Sequence, residues 1–291
     1  MTPVVAVIAP GMMGAAVGQR LVDNGLKVLT SLSGRGPETV ERAKAAGMVA
    51  VSDEEIAGTD FILSILPPGD ALALAQRFAP ALTASNAKPV FVDCNAINPK
   101  TVAKVAAAIA PTECPFVDAG IIGQPPKPPG AGQSKVAGSP RFYASGAASP
   151  RFAALRDYGL DVRVLDGALA AASALKMSYA GITKGTQAIG AAMMLAATRA
   201  GSADALFAEL QSSQKEMFAW FRRQLAMMPP KAYRWVAEMH EIAGFVGEDA
   251  TAHELYEGAA HFYERIAEDF AAGKTDVAAL TKFIEKNPSN G

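Results

Sequence analysis

Short runs of β-branched and apolar residues alternate with helix-length amphipathic stretches through the first half of the chain. Val4-Val5-Ala6-Val7-Ile8 is followed by Val17 to Asn24, then Val28-Leu29-Thr30, then Thr39 to Ala46. A run that buries every residue or alternate residues reads as strand, and one that buries a stripe every 3.6 residues reads as helix, so this order predicts a βαβ unit. The rhythm persists in Phe61-Ile62-Leu63-Ser64-Ile65, Val90-Phe91-Val92 and Phe116-Val117-Asp118, with helices expected over Ala71 to Ala79 and Pro99 to Ala110. Right-handed crossovers between such strands build a parallel sheet with helices on both faces.

Gln124-Pro125-Pro126-Lys127-Pro128-Pro129-Gly130 interrupts the pattern. Proline lacks the donor that helix and central strand both need, so a loop near the strand ends is expected. Arg141 to Ser145 and Val162 to Leu165 are the last expected strands, and from Ala168 the chain turns almost wholly helix-forming. The boundary is placed near Gly167, giving domains 1–166 and 167–291. Met217, Phe218, Phe221 and Leu225, and then Trp235, Met239, Ile242 and Phe245, repeat at helical spacing in the second.

A chain of 291 residues exceeds the usual single core, which agrees with two domains. Its net charge of -1 offers no basic field, so neither nucleic acid nor an anionic membrane is an expected partner, and a small-molecule substrate is. Two cysteines, Cys94 and Cys114, read as reduced thiols in a cytoplasmic protein. The apolar start from Val4 to Val17 lacks a basic flank and is broken by Pro10, Gly11 and Gly14, so it reads as strand and turn rather than signal peptide. No apolar run reaches the ~20 residues a membrane helix needs.

Ala9-Pro10-Gly11-Met12-Met13-Gly14 stands where the first strand meets the first helix. A dinucleotide pyrophosphate binds at this place in a Rossmann fold: Gly11 lets the backbone approach the phosphates, Gly14 lets helix and strand pack, and unpaired helix N–H groups attract the anion. Gly11, Met12, Met13 and Gly14 are therefore expected cofactor contacts, with Ala9 in place of the usual first glycine. The fold expected is α/β, a doubly wound parallel Rossmann sheet followed by an all-α domain. Past the second strand, Ser31-Leu32-Ser33-Gly34-Arg35-Gly36 offers no carboxylate for a ribose diol. Ser33 and Arg35 suit a 2′-phosphate instead, so NADP is the expected cofactor, with NAD possible. The other reading, that Ser33 and Arg35 merely cap and solvate the next helix, stays open.

Further segments carry a resemblance: Ser64-Ile65-Leu66-Pro67, Val92-Asp93-Cys94-Asn95 with Pro99 and Thr101, Val117-Asp118-Ala119-Gly120-Ile121-Ile122-Gly123, and Leu175-Lys176-Met177-Ser178-Tyr179-Ala180-Gly181. With the glycine turn, they make the chain similar over most of its length to the β-hydroxyacid dehydrogenase superfamily. That group includes 3-hydroxyisobutyrate dehydrogenase, 6-phosphogluconate dehydrogenase and, more distantly, imine reductases. The helical tail around Arg234-Trp235-Val236-Ala237-Glu238-Met239 resembles a branch called 6-phosphogluconate dehydrogenase-like, without a settled substrate. The resemblance implies Leu66, Pro67 and Asn95 as cofactor contacts, Gly120, Ile121 and Ile122 as substrate contacts, and Lys176 as the catalytic lysine. Oxidising an alcohol requires removal of its hydroxyl proton, and a partly desolvated lysine suits that task.

Tyr179, Ala180 and Thr183 lie three, four and seven residues past Lys176, on one expected helical face lining the pocket. Relatives place asparagine at Ala180, and the phosphogluconate enzyme places histidine at Tyr179; Tyr179 reads either as a partner of the reacting oxygen or as a packing residue. Where relatives carry Ser-Gly-Gly this chain carries Ile122-Gly123-Gln124, which argues against 6-phosphogluconate and for a more apolar pocket suited to an aryl or alkyl β-hydroxy compound, a ketone or an imine. Arg234, His240 and Glu241 are further substrate-side candidates, with Arg234 and Glu241 one heptad apart. No metal is expected, since His253 and His261 lack ligand spacing. Met193, Met194 and Leu195 on one helix point to a homodimer. Imine reduction and a non-catalytic NADP-binding sensor are the rival functions.

Overall fold

The computed structural model describes residues 2–128, 130 and 132–286 and divides into two compact units, Met1–Met177 and Ser178–Gly291. The change of composition at Gly167 marks the end of the strands. The first unit runs further because it includes the opening turns of a helix, α7, Ala171–Ala180.

The first unit is one eight-stranded sheet in the order β3-β2-β1-β4-β5-β6-β7-β8. Its strands are β1 Val4–Ile8, β2 Lys27–Thr30, β3 Val49–Ala50, β4 Phe61–Ser64, β5 Val90–Asp93, β6 Phe116–Ile122, β7 Arg141–Ser145 and β8 Asp161–Val164. Successive residues serve opposite faces, so both cores are written into each strand. Val5 and Val7 join Val17 and Leu21 of α1, Met12–Asp23, and Phe152 of α6, Ser149–Ala153. Ala6 and Ile8 join Leu74, Phe78 and Leu82 of α4, Ala71–Ala84, and Val102 and Val105 of α5, Pro99–Ile109. Helix α4 runs past Pro80, where the sequence predicts a stop, because Leu82 beyond it is fully buried. At the β3 edge, α2, Pro37–Ala45, adds Ala43 to the first of these cores, and α3, Asp53–Ala57, adds Ile56 and Ala57 to the second; β3 itself is two residues long.

The sheet is parallel from β3 through β6; β7 runs antiparallel to β6, and β8 pairs parallel with β7, so the last two strands run opposite to the rest. A parallel neighbour needs a crossover, usually a helix, and the proline-rich stretch between β6 and β7 supplies none, so the chain doubles back. The loop is held down by Arg20 of α1, whose guanidinium is buried and donates to the carbonyls of Lys127, Lys135 (2.8 Å) and Ala137 (3.2 Å). Burial lowers the Arg20 pKa, and nearby Asp23 opposes the shift.

The second unit consists of α8 Thr186–Arg199, α9 Ala203–Ser213, α10 Lys215–Ala226, α11 Ala232–Phe245, α12 Ala250–Ala271 and α13 Thr275–Glu285, entered through a π-helical turn, Gly181–Gly185. Phe207, Phe218 and Phe283 meet edge to face at 5.1–6.3 Å and close one end. In α11, Glu238 pairs with Lys184, whose ammonium lies 5.1 Å from the Trp235 ring centre. Tyr263 of α12 donates to the Lys184 carbonyl at 2.6 Å. Among the described residues no helix is long and apolar enough to cross a membrane.

Candidate active site

The turn after β1 is shaped by two backbone constraints. Ala9 adopts a left-handed conformation, φ +64°, and its carbonyl accepts from the Gly11 N–H at 2.7 Å. A Cβ on Gly14 would lie 2.5 Å from that same carbonyl oxygen, so only glycine fits. A Cβ on Gly11 would meet nothing within 4 Å, leaving the space a phosphate requires. Helix α1 has no side-chain cap and no acid in its first turn, so the leading N–H groups of Met12, Met13 and Gly14 are presented to an anion. The residues present therefore fit a dinucleotide pyrophosphate.

Ser33 and Arg35 are exposed in the turn after β2, where Gly34 takes φ +71° and the Arg35 N–H donates to the Leu32 carbonyl at 3.1 Å. A second guanidinium is drawn in that local sequence gives no sign of: Arg42 of α2 donates to the Pro10 carbonyl at 3.2 Å. The absence of an acid after β2 holds only for the local chain. Asp53, from the first turn of α3, accepts from the Ser31 hydroxyl at 3.2 Å, but it is taken by Arg77 of α4 through two bonds of 2.7 and 2.8 Å. A carboxylate so paired has little left for a ribose.

At the carboxyl end of β4 and β5, Asn95 acts as a staple. Its side-chain oxygen accepts from the Leu66 N–H at 2.5 Å, its amide donates to Ser64 Oγ at 2.8 Å, and its own N–H donates to Asp93 Oδ1 at 2.9 Å. The Asn95 side chain is thus buried and occupied, and it shapes the Leu66-Pro67 turn; Pro67 itself is exposed there.

Ser64, Asp93, Asp118 and Ser145 are successive cross-strand partners, a row of polar residues no more than 1% exposed. This level, at the carboxyl ends of the parallel strands, is where open α/β sheets bind ligands. Asp118 caps α7. Its carboxylate accepts from Ser173 Oγ (2.5 Å), the Ser173 N–H (3.0 Å) and Ser145 Oγ (2.9 Å), while Ser145 Oγ accepts from the Ala172 N–H at 3.1 Å. Burial pushes the Asp118 carboxyl above the usual range, and the bonds from Ser173, Ser145 and Ala172 oppose the shift. Burial, then Asp93 and Asp118, hold the Cys94 thiol well above its ordinary value, so it stays protonated and inert. Cys94 and Cys114 are both free thiols.

The capped helix lies against β6 at Gly120. A Cβ there would stand 3.0 Å from both the Ala172 carbonyl and Lys176 Cβ, so the missing side chain lets α7 come down and sets half-buried Lys176 above the strand. Strand alternation corrects the reading of Ile121 as a substrate contact: it is 8% exposed and packs in the core on the opposite face, so Ile122 is the residue on the Lys176 side.

Past Lys176, Tyr179 and Ala180 keep the α-helical count, while Thr183 lies in the π turn, whose wider i→i+5 spacing shifts it from the face counted for it. Tyr179 is half exposed, Ala180 is buried, and Thr183 returns its hydroxyl to the Tyr179 carbonyl at 2.8 Å. In α11, Arg234 is exposed with its guanidinium 5.7 Å from the Tyr233 ring centre. His240 pairs with Glu257 of α12 at 3.0 Å. Among the described residues no group of three or more His, Cys, Asp or Glu is placed to hold a metal.

The chain matches the family model of the NAD binding domain of 6-phosphogluconate dehydrogenase over residues 4–145 and a domain of unknown function, DUF1932, over 197–266. It is 26% identical over 195 residues, 66% of this chain and 70% of the other, to an uncharacterized 28.5 kDa protein of Methanothermus fervidus. A conserved protein of unknown function, described as structurally similar to 3-hydroxyacid dehydrogenases, superposes with a TM-score of 0.67 at 27% identity, over 95% of this chain and 98% of that one. The 3-hydroxyisobutyrate dehydrogenase of Mycobacterium tuberculosis shares the fold, with a TM-score of 0.65 at 20% identity over 98% of this chain and all of that one. The first unit thus carries the NAD binding domain of the 6-phosphogluconate dehydrogenase family, and the full-length superposition on a protein likened to 3-hydroxyacid dehydrogenases agrees with it: the chain is a β-hydroxyacid dehydrogenase-like NAD(P)-dependent oxidoreductase.

Proposed function

We propose that the protein transfers a hydride between NADP(H) and the hydroxyl-bearing carbon of a β-hydroxy acid or a related alcohol or carbonyl compound, with Lys176 as general acid and base. The observation that carries this reading is the seating of Lys176 over Gly120 by the Asp118 cap. When bound, the nicotinamide accepts or returns the hydride. Lys176 takes the hydroxyl proton as the C–H bond breaks, and in the reverse direction gives a proton to the carbonyl oxygen. A panel of β-hydroxy acids, aryl alcohols, ketones and cyclic imines, followed by reduced-nicotinamide absorbance with each cofactor, tests the class. Turnover of imines alone would overturn it.

Ser33, Arg35 and Arg42 support NADP over NAD, the Arg42 guanidinium being held at the glycine turn, Ser33 and Arg35 being exposed after β2, and Asp53 being already paired. Arg35→Ala is expected to weaken NADPH binding by about 1.5–3 kcal/mol, the scale of a charge-assisted hydrogen bond, and to leave NADH nearly unchanged. Fluorescence titration checks this, and equal losses for both cofactors would remove the assignment.

A homodimer through α8 is part of the same proposal. Ile189 and Met193, four residues apart on α8, are 54% and 58% exposed on one stripe of that helix, and Ile182 in the π turn before it is 69% exposed, whereas Met194 and Leu195, the other residues of that reading, are buried in their own unit. Sedimentation should show a dimer at micromolar concentration, with Ile189→Glu shifting it to monomer because the charge would be buried unpaired. A monomeric parent protein would refute it.

A further inference from the structure

An open cavity of about 520 Å³ lies past the end of β6 and the start of β7, within the first unit. Its position relative to Lys176 follows from strand register. Gly120, Tyr143 and Arg163 are cross-strand partners, and so are Ile122, Arg141 and Asp161 one pleat further on. Partners on adjacent strands project to the same face, and Gly120 shows that this face is the one Lys176 occupies. Ile122, Arg141 and Asp161 therefore stand about 7 Å further along the strands on the lysine side. Lys127 and Gln124 face the same cavity from the loop.

The charges there do not balance. Arg163 is bound to Asp161 by two contacts of 3.2 and 3.0 Å and lies over the Tyr143 ring at 6.0 Å. Among the described residues neither Lys127 nor Arg141 has an ion-pair partner, so the cavity carries surplus positive charge. One wall is the loop fastened by buried Arg20, with the Lys127 N–H donating to the Gly138 carbonyl at 3.0 Å. Enclosing a guanidinium is costly unless its donors are met, and here they are spent on the carbonyls of this loop. Arg20 thus ties the carbonyls of Lys127, Lys135 and Ala137 together on this wall.

We infer that this cavity binds an anionic group of the substrate, a carboxylate or a phosphate, carried at a distance from the reacting carbon, with Arg141 and Lys127 as its contacts. Resting on the proposed reaction, this narrows the substrate class to β-hydroxy compounds bearing a remote anion. Ile122 flanks the path between the two ends and suits a short apolar spacer.

The test compares 3-hydroxyadipate, 3-hydroxyhexanoate and 3-hydroxy-4-phosphooxybutanoate as substrates of the full chain with NADP, alongside calorimetric titration of adipate and inorganic phosphate into the cofactor-loaded protein. At least one charged substrate should exceed 3-hydroxyhexanoate in kcat/KM by about 10–100-fold, the equivalent of one charge-assisted contact, and adipate or phosphate should bind to match. The double variant Arg141→Ala, Lys127→Ala should bring that ratio near unity and abolish the binding, with Arg141→Lys restoring part of both. A ratio near unity in the parent protein, or one that survives the double variant, overturns the inference while the reaction stands. Anion binding that needs Arg141, with no hydroxy acid turned over, upholds the cavity and overturns the reaction. Adipate and phosphate decide between the two anions.

Discussion

Lys176→Met should lower kcat by roughly 10²–10⁴ while NADPH affinity stays within a few-fold of the parent, because the substitution keeps the apolar stem and removes only the group that moves the proton. The separation of the two effects follows from where the residue sits. Lys176 lies over β6 at Gly120, whereas the pyrophosphate turn is built from residues at the end of β1. Stopped-flow turnover and fluorescence titration measure the two quantities independently. Near-normal turnover in Lys176→Met, together with its loss in Tyr179→Phe, would transfer the proton to Tyr179 and favour imine chemistry.

Asp118→Ala should destabilise the fold by about 2–4 kcal/mol, since it leaves the Ser173 N–H, the Ser173 hydroxyl and the Ser145 hydroxyl without their acceptor among residues no more than 1% exposed. Asp118→Asn keeps one acceptor oxygen and the shape, and should cost about half as much. Urea unfolding of the two variants gives the comparison. The catalytic consequence is separable from folding: with α7 no longer fixed at its first turn, kcat should fall at temperatures where Asp118→Asn is still fully folded, with KM for NADP little altered. Parent-like stability in Asp118→Ala would mean that the cap carries no weight.

The alternation of apolar runs sufficed to place the strands of the sheet within a residue or two, apart from β3 and the extension of β6, because strands buried on both faces must be continuously apolar. Edge strand β3 escaped notice, being two residues long with both exposed. The antiparallel return at β7 was implicit in the proline loop, which can support no crossover helix, yet the strand itself has no local mark of direction. The glycine turn was legible because its constraint is backbone geometry that glycine alone satisfies. Asp118, Ser145 and Ser173 were not, since three polar residues separated by 27 and 55 positions announce nothing until the sheet and helix bring them together. Arg42 and Asp53 escaped for the same reason. The π turn at Gly181–Gly185 was not legible either, because helical counting assumes one uninterrupted pitch.

The left-handed Ala9 ties two positions of the glycine turn into one heritable unit. Gly14 is obligatory because of where the Ala9 carbonyl points, not because of any side chain at position 9. A mutation at position 14 is therefore judged against the backbone at position 9, and Gly14→Ala is closed to the chain so long as that carbonyl holds its place. In the other direction the path is open: glycine at position 9 adopts φ +64° without the penalty alanine bears. The two positions thus differ in what they accept: position 9 gains from glycine, whereas position 14 admits nothing larger.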